Sequence, residues 1–128
     1  MRFFVALLFI FIWNLETNAQ LIERMSPKTV ATHIYNATTE KYDISGKADG
    51  GKLEVYLTEK TLMVIGQEVV EYTIVSEVKR DTSRDLFKTR EFMATTSRGN
   101  SVVIYWVSGL VIKVQLEHIL IEYWAIEV

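Results

Sequence analysis

Residues 100–125, NSVVIYWVSGLVIKVQLEHILIEYWA, decide the fold. Apolar, β-branched and aromatic residues form three short runs in this stretch, and the dipeptides Ser108-Gly109 and Glu117-His118 separate them. Glycine suits the positive φ that tight hairpin turns require. Runs of this length and composition, divided in this way, predict three consecutive antiparallel strands joined by two-residue turns.

The registers that these two turns impose can be checked against each other. They place Tyr105 opposite Ile112, and Ile112 opposite Tyr123, so one face stays apolar across three strands. On the other face Lys113 lies beside Glu122, which is a favourable cross-strand pair of opposite charges. A slip of one residue would turn each apolar set outward, so we expect this register to be well defined.

A period of two extends back to Lys52 and predicts seven strands in total. These are Lys52–Thr58, Thr61–Gly66, Val69–Val78, Leu86–Thr95, Asn100–Val107, Leu110–Leu116 and Ile119–Ala125. A turn at Glu59-Lys60 joins the first two strands. A turn at Arg98-Gly99 aligns Phe92 with Tyr105 on the expected core face.

We therefore expect an all-β protein with a single antiparallel meander of about seven to eight strands over residues 52–128. Such a meander forms a small barrel or a strongly curved sheet. Residues 20–51 are expected to pack with it as one domain, as a short N-terminal helix or an irregular segment. Ser26-Pro27 suits the start of a helix, whereas Thr29–Tyr35 and Tyr42–Lys47 have the composition of strands.

The first 19 residues have the layout of a secretory signal peptide. Met1-Arg2 is a short positive start, and an apolar run of eleven residues follows from Phe3 to Trp13. The segment ends at Thr17-Asn18-Ala19, with small residues at the positions that precede cleavage. The apolar run is shorter than the ~20 residues that a membrane-spanning helix needs. We expect cleavage before Gln20 and a secreted or periplasmic protein without a membrane span.

Composition excludes several classes of site and partner. The chain has 128 residues, 14 basic and 16 acidic, so its formal net charge is −2. This balance argues against nucleic-acid binding, which usually needs a basic surface. The absence of cysteine rules out disulfides, thiol catalysis and cysteine–zinc sites. We expect no cofactor, no metal and no catalytic residue.

The residues that could carry chemistry are few and scattered. His33 and His118 are the only histidines, and neither has a metal-ligand partner at helical spacing. The charge-dense segment 77–91 is expected to be a solvated hairpin loop with internal ion pairs, or a loop that gates a barrel mouth. Asp81 and Asp85 lack the remaining oxygen ligands of a known calcium loop.

Aromatic residues supply the best candidate for a binding surface. The registers above place Trp106, Val111 and Trp124 in one row on the face opposite the expected core. The same face also includes Met93, Ile104, Val102 and Leu120. When one face of an antiparallel sheet is exposed to solvent, the side chains on that face should be polar. This face is therefore either covered by the rest of the chain or is a site for a ligand or a partner.

Two resemblances follow from these patterns. A signal peptide followed by an antiparallel meander is similar to lipocalin-like barrels, which implies binding of apolar ligands. Residues 92–104, FMATTSRGNSVVI, resemble a strand–turn–strand unit of small secreted proteins from Bacteroidetes-type bacteria, and Asn18-Ala19-Gln20 suits their export signals. This second resemblance implies a fold and a compartment.

The sequence thus favours an exported, non-catalytic binding module whose partner is an apolar small molecule or a protein. The alternative is a structural or inhibitor-like envelope protein that docks through an exposed edge strand. A hydrolase that uses scattered acidic and serine residues is the third hypothesis. A dry pocket inside a closed barrel would favour the small ligand, and a bare sheet edge would favour docking of a protein.

Overall fold

The structure, a computed structural model, describes residues 20–128, and every regular element in that range is a β-strand. The predicted signal peptide lies outside the described residues. The strands are β1 (Leu21–Met25), β2 (Thr29–Asn36), β3 (Lys41–Asp49), β4 (Glu54–Thr58), β5 (Thr61–Ile65), β6 (Val69–Val78), β7 (Thr89–Thr95), β8 (Ser101–Val107), β9 (Val111–Gln115) and β10 (Ile119–Trp124). The all-β class and the seven strands of the meander, β4 to β10, are confirmed.

The ten strands form one strongly curled antiparallel sheet in the order β1-β4-β5-β6-β7-β8-β9-β10-β2-β3. The meander occupies the middle, β1 pairs with β4, and β2 pairs with β10. Only Ser26, Pro27 and Lys28 separate β1 from β2. An extended chain covers at most about 3.5 Å per residue, so these two strands lie within about 14 Å of each other. The meander must therefore curl until its two ends meet at the N-terminal segment.

The N-terminal segment consists of strands, and the expectation of a helix at Ser26-Pro27 is wrong. Its two predicted strand stretches are confirmed as β2 and β3. Ser26-Pro27 is instead the bend between β1 and β2, where the Lys28 N–H donates to the Trp124 carbonyl oxygen at 2.8 Å. Pairing with the two ends of the meander outweighs the local preference of proline for a first helical turn.

A close backbone approach fixes this bend. A Cβ atom on Gly50 would lie 1.7 Å from the Pro27 carbonyl oxygen. The Gly50 N–H also donates to the Lys28 carbonyl oxygen at 3.0 Å. Only glycine lets the chain leaving β3 lie this close to the bend.

The predicted registers are correct for some hairpins and wrong for others. Ile112 pairs with Tyr123, and Lys113 pairs with Glu122, as expected. Tyr105 was expected to pair with Phe92 and Ile112 but pairs with Glu91 and Lys113. The strand β8 is therefore shifted by one residue against both of its neighbours.

The turn conformations explain this shift. Gly109 has a φ of 69° and Gly99 a φ of 84°, but Ser108 and Arg98 do not share this left-handed conformation. A two-residue turn of type I′ needs positive φ at both central residues. The β8–β9 connection is instead three residues long, with the Leu110 N–H donating to the Val107 carbonyl oxygen at 3.0 Å.

The inner side of the curled sheet is filled by apolar side chains from every strand except β3. The side chains less than 2% exposed include Phe92, Leu57, Leu62, Ile104, Ile112, Val102 and Val114. Two tyrosines, Tyr72 and Tyr123, also point into this core, and burial raises the pKa of both hydroxyls. The interior is thus a packed hydrophobic core.

Polar side chains close one end of this core. The indole nitrogen of Trp106 donates to the Glu23 carboxylate, and the Gly109 N–H donates to the same carboxylate at 2.7 Å. The Arg90 guanidinium lies 5.0 Å from the centroid of the Phe92 ring and bonds the Glu59 carboxylate through two nitrogens, each at 3.0 Å. These contacts tie β1 and the β4–β5 turn to β7 and β8.

Candidate functional site

The candidate site is a groove on the outer side of the sheet, over β8, β9 and β10. Two adjoining open cavities form it, with volumes of about 340 and 650 Å³, and Gln115 lines both. Tyr105, Val107 and Leu120 line the smaller cavity, and Val103 lines the larger one. Both volumes lie within the ~300–1,000 Å³ range of small-molecule pockets.

The one-residue shift of β8 against both of its neighbours creates this groove. The two neighbouring strands set which side chains face outward, and the one-residue shift places Val103, Tyr105 and Val107 on the outer face. These three side chains are half-buried, whereas Val102, Ile104 and Trp106 are at most 4% exposed. The strand is apolar on both sides, so one face belongs to the core and the other to the groove.

Arg80, in the β6–β7 loop, lines the smaller cavity. The Arg80 Nη2 donates to the Asp85 carboxylate at 3.2 Å and to the Thr89 hydroxyl oxygen at 3.4 Å. The Thr89 hydroxyl itself donates to Asp85 at 2.7 Å. These bonds hold the loop, and with it Arg80, against the outer surface of the sheet. The expected internal ion pair of this loop is confirmed.

A tyrosine of β3 stands at the larger cavity. The Tyr42 hydroxyl accepts a hydrogen bond from Gln115 Nε2 at 3.3 Å and lies 3.4 Å from the Leu116 carbonyl oxygen. Its ring meets the Tyr35 ring edge-on, with centroids 5.4 Å apart. Tyr42 therefore reaches over β10 from the β2–β3 ribbon, and it orients the glutamine that the two cavities share.

A half-buried polar network lies beside the groove. The Glu122 carboxylate is within 2.6 Å of His33 Nε2, 3.1 Å of Lys113 Nζ and 3.4 Å of Trp124 Nε1. Burial raises the pKa of Glu122, but hydrogen bonds from His33 and Lys113 outweigh it, and the net shift is downward. Glu122 is thus a carboxylate at neutral pH, and it fixes the position of Lys113 at the edge of the smaller cavity.

The two cavities differ in charge. The described residues lining the smaller one include Arg80, Arg90 and Lys113 and no carboxylate. The described lining of the larger one includes Glu117 and His118 and no lysine or arginine. One end of the groove therefore has basic side chains, each ion-paired with a carboxylate outside the lining, and the opposite end has no basic side chain other than a histidine.

The structure divides the predicted surface residues between two faces. Placing Trp106, Ile104 and Val102 on the outer face is wrong, because all three belong to the core. Trp106 also lines the smaller cavity. The outer placement of Val111, Trp124 and Met93 is correct: Trp124 pairs with Val111, and Met93 pairs with Val103 on the neighbouring strand. Trp124 is half-buried and Met93 is 37% exposed.

Sequence reasoning missed four residues of the groove, Val103, Tyr105, Val107 and Gln115, whereas Leu120 was expected on the outer face and lies there. The usable signal was the alternation within β8, because it offers two apolar faces instead of one. Such a strand is expected either inside a two-layer core or beneath a binding surface.

The other residues singled out in the sequence do not form a site for a metal. Across residues 20–128 the structure contains no group of three or more histidine, aspartate or glutamate side chains that could hold an ion. His118 is paired with its neighbour Glu117 at 3.6 Å. Asp81 accepts the Ser83 N–H at 3.0 Å, so its carboxylate organises the loop.

An edge strand offers a second, less favourable interaction surface. Among the described strands β3 has one neighbour, and eight of its nine residues are exposed. It carries Lys41, Asp43, Lys47 and Asp49, and its pairing with β2 is interrupted by a bulge. Charged side chains and bulges on edge strands oppose the addition of another strand.

Comparison with protein-family models, curated proteins and solved structures finds no match for this chain. Within the described residues, no helix is long and apolar enough to cross a membrane.

Proposed function

We propose that the chain is an exported, non-catalytic binding module whose ligand lies in the outer-face groove. The observation that carries this proposal is the combination of a filled interior with an apolar groove outside. Core side chains from nine strands occupy the space that a barrel-type binder leaves for its ligand. The groove instead exposes Tyr105, Val107 and Leu120 beside ordered polar groups, which is the usual make-up of a ligand site.

The proposal that the chain is exported rests on the sequence of residues 1–19. The described chain is consistent with cleavage before Gln20, because β1 begins at the next residue and would remain complete. The Gln20 carbonyl oxygen accepts the Glu59 N–H at 3.1 Å, so the new N-terminus would stay anchored. N-terminal sequencing of the exported protein should return Gln20 first, and a mature chain that begins at Met1 would contradict export by this route.

Photo-crosslinking in the native host tests the site. A photoreactive residue at Gln115 lies where the two cavities join, and one at Glu71 lies on the exposed outer side of β6 as a control. We expect a defined adduct, detected by mass spectrometry, at position 115 and none at position 71. Equal labelling at both positions, or a defined adduct at position 71 alone, would show that the groove is not the binding site.

A further inference from the structure

The smaller cavity combines three cationic side chains with an apolar lining. Arg80, Arg90 and Lys113 all border it, and no carboxylate is among its described lining residues. The Glu59 and Glu77 carboxylates accept four hydrogen bonds from Arg90, whose guanidinium has five N–H donors. Arg80 and Lys113 keep more donors for a ligand than Arg90 does.

The donors of these two residues are only partly used. Within residues 20–128, the side-chain hydrogen bonds of Arg80 all involve Nη2, so its Nε and Nη1 groups remain for another acceptor. Lys113 Nζ carries three N–H donors, and its ion pair is with Glu122 at 3.1 Å. The Lys113 side chain is 35% exposed and that of Arg80 is 43% exposed, so a ligand can reach both.

The rest of the lining is suited to an apolar group. Val107 and Leu120 supply aliphatic side chains, and Tyr105 supplies an aromatic ring. All three are half-buried, so a ligand resting on them would remove apolar surface from water. A small volume of about 340 Å³ limits the ligand to roughly the size of two fused rings with a substituent.

We propose that this cavity binds an amphipathic organic anion. This proposal rests on the function proposed above and specifies the class of its ligand. Its carboxylate, sulfonate or phosphate group accepts hydrogen bonds from Arg80 and Lys113. Its apolar body covers Tyr105, Val107 and Leu120. Glu122 acts as a positioning residue, because its bonds to His33 and Trp124 hold the carboxylate that orients Lys113.

The test compares two probes that share an apolar framework. The anion 8-anilinonaphthalene-1-sulfonate and the uncharged N-phenyl-1-naphthylamine are titrated into residues 20–128, and fluorescence gives each dissociation constant. We expect the anion to bind at least tenfold more tightly than the neutral probe. Lys113→Gln and Arg80→Gln should each weaken anion binding about tenfold, as expected for the loss of one hydrogen bond between charged groups.

Two controls separate lost charge from lost structure. Arg98→Gln removes an exposed cation from the β7–β8 turn and should leave anion binding within twofold of the unsubstituted protein. Lys113→Arg keeps the charge and should retain binding within about threefold. Circular dichroism melting of each variant confirms that it is folded.

Three outcomes would contradict the proposal that the ligand is an amphipathic anion. They are an undetectable anion complex, equal binding of the two probes, and equal effects of Lys113→Gln, Arg80→Gln and Arg98→Gln. If any of these occurs while crosslinking at Gln115 still captures a defined molecule, the groove remains the site and the anionic ligand is wrong. If crosslinking also fails, both proposals are wrong.

Discussion

Truncation of Trp106 tests the orientation of β8, on which both the core and the groove depend. Trp106 is 4% exposed, packs in the core, and donates its indole N–H to Glu23. Truncation of a buried tryptophan to alanine costs about 3–5 kcal/mol. A domain of this size has a total stability of about 5–15 kcal/mol. We therefore expect Trp106→Ala to remove about a fifth of the stability or more.

The matched substitution is Trp124→Ala on the outer face. Trp124 is half-buried, bonds Glu122 at 3.4 Å and lies 5.8 Å from Lys113 Nζ. Loss of these peripheral contacts should cost about 1–2 kcal/mol. Trp106→Phe keeps most of the core volume and removes the bond to Glu23, so its cost should be about 1–3 kcal/mol.

Urea unfolding followed by far-ultraviolet circular dichroism measures these differences. A loss of about 4 kcal/mol corresponds to a fall in Tm of about 15–30 °C in a domain of this size. The reasoning is refuted if Trp106→Ala costs no more than Trp124→Ala. That result would place Trp106 on the outer face and would return the register to the one that two-residue turns impose.

Three further predictions concern the sheet itself. A double-mutant cycle that replaces Lys113 and Glu122 with glutamine should show a coupling of about 0.5–1 kcal/mol, and no coupling would contradict their pairing. Because the folded-state pKa of Glu122 lies below its ordinary value, its stabilising contribution is present at neutral pH and is lost as the pH falls through that lowered pKa. The stability gap between the unsubstituted protein and Glu122→Gln should therefore narrow below about pH 4.5, and a pH-independent gap in urea titrations would exclude the linkage. Gly50→Ala should cost about 3 kcal/mol or more because its Cβ meets the Pro27 backbone, whereas Gly46→Ala, which meets nothing within 4 Å, should be nearly neutral; equal costs would contradict the close approach.

Alternation of apolar residues was sufficient to predict the meander, because most of its strands carry one clearly apolar face. The Glu117-His118 hairpin was placed correctly since a slip would have buried Lys113 and exposed Ile112. The argument from a one-residue slip does not fix the register of β8. Val102, Ile104 and Trp106 are as apolar as Val103, Tyr105 and Val107, so either face could enter the core and turn geometry decided between them.

The N-terminal strands depend on partners that are distant in sequence. β1 pairs with β4, and β2 pairs with β10, which ends nearly one hundred residues later. Local composition near Ser26-Pro27 carries no information about these contacts, so a helix start and a bend between strands look alike. The groove was hidden for a related reason, because Arg80 and Tyr42 reach it from a loop and an edge ribbon outside the predicted hairpins.

The most direct test of the account is methyl NMR of residues 20–128 during titration with 8-anilinonaphthalene-1-sulfonate. The methyl groups of Val103 and Leu120 line the groove, and those of Leu57 and Val114 lie fully buried in the core. We expect the groove methyl signals to shift with a single dissociation constant while the core methyl signals stay in place. Shifts of the core methyl groups with unchanged groove signals would place the ligand inside the curled sheet and would contradict the outer-face site.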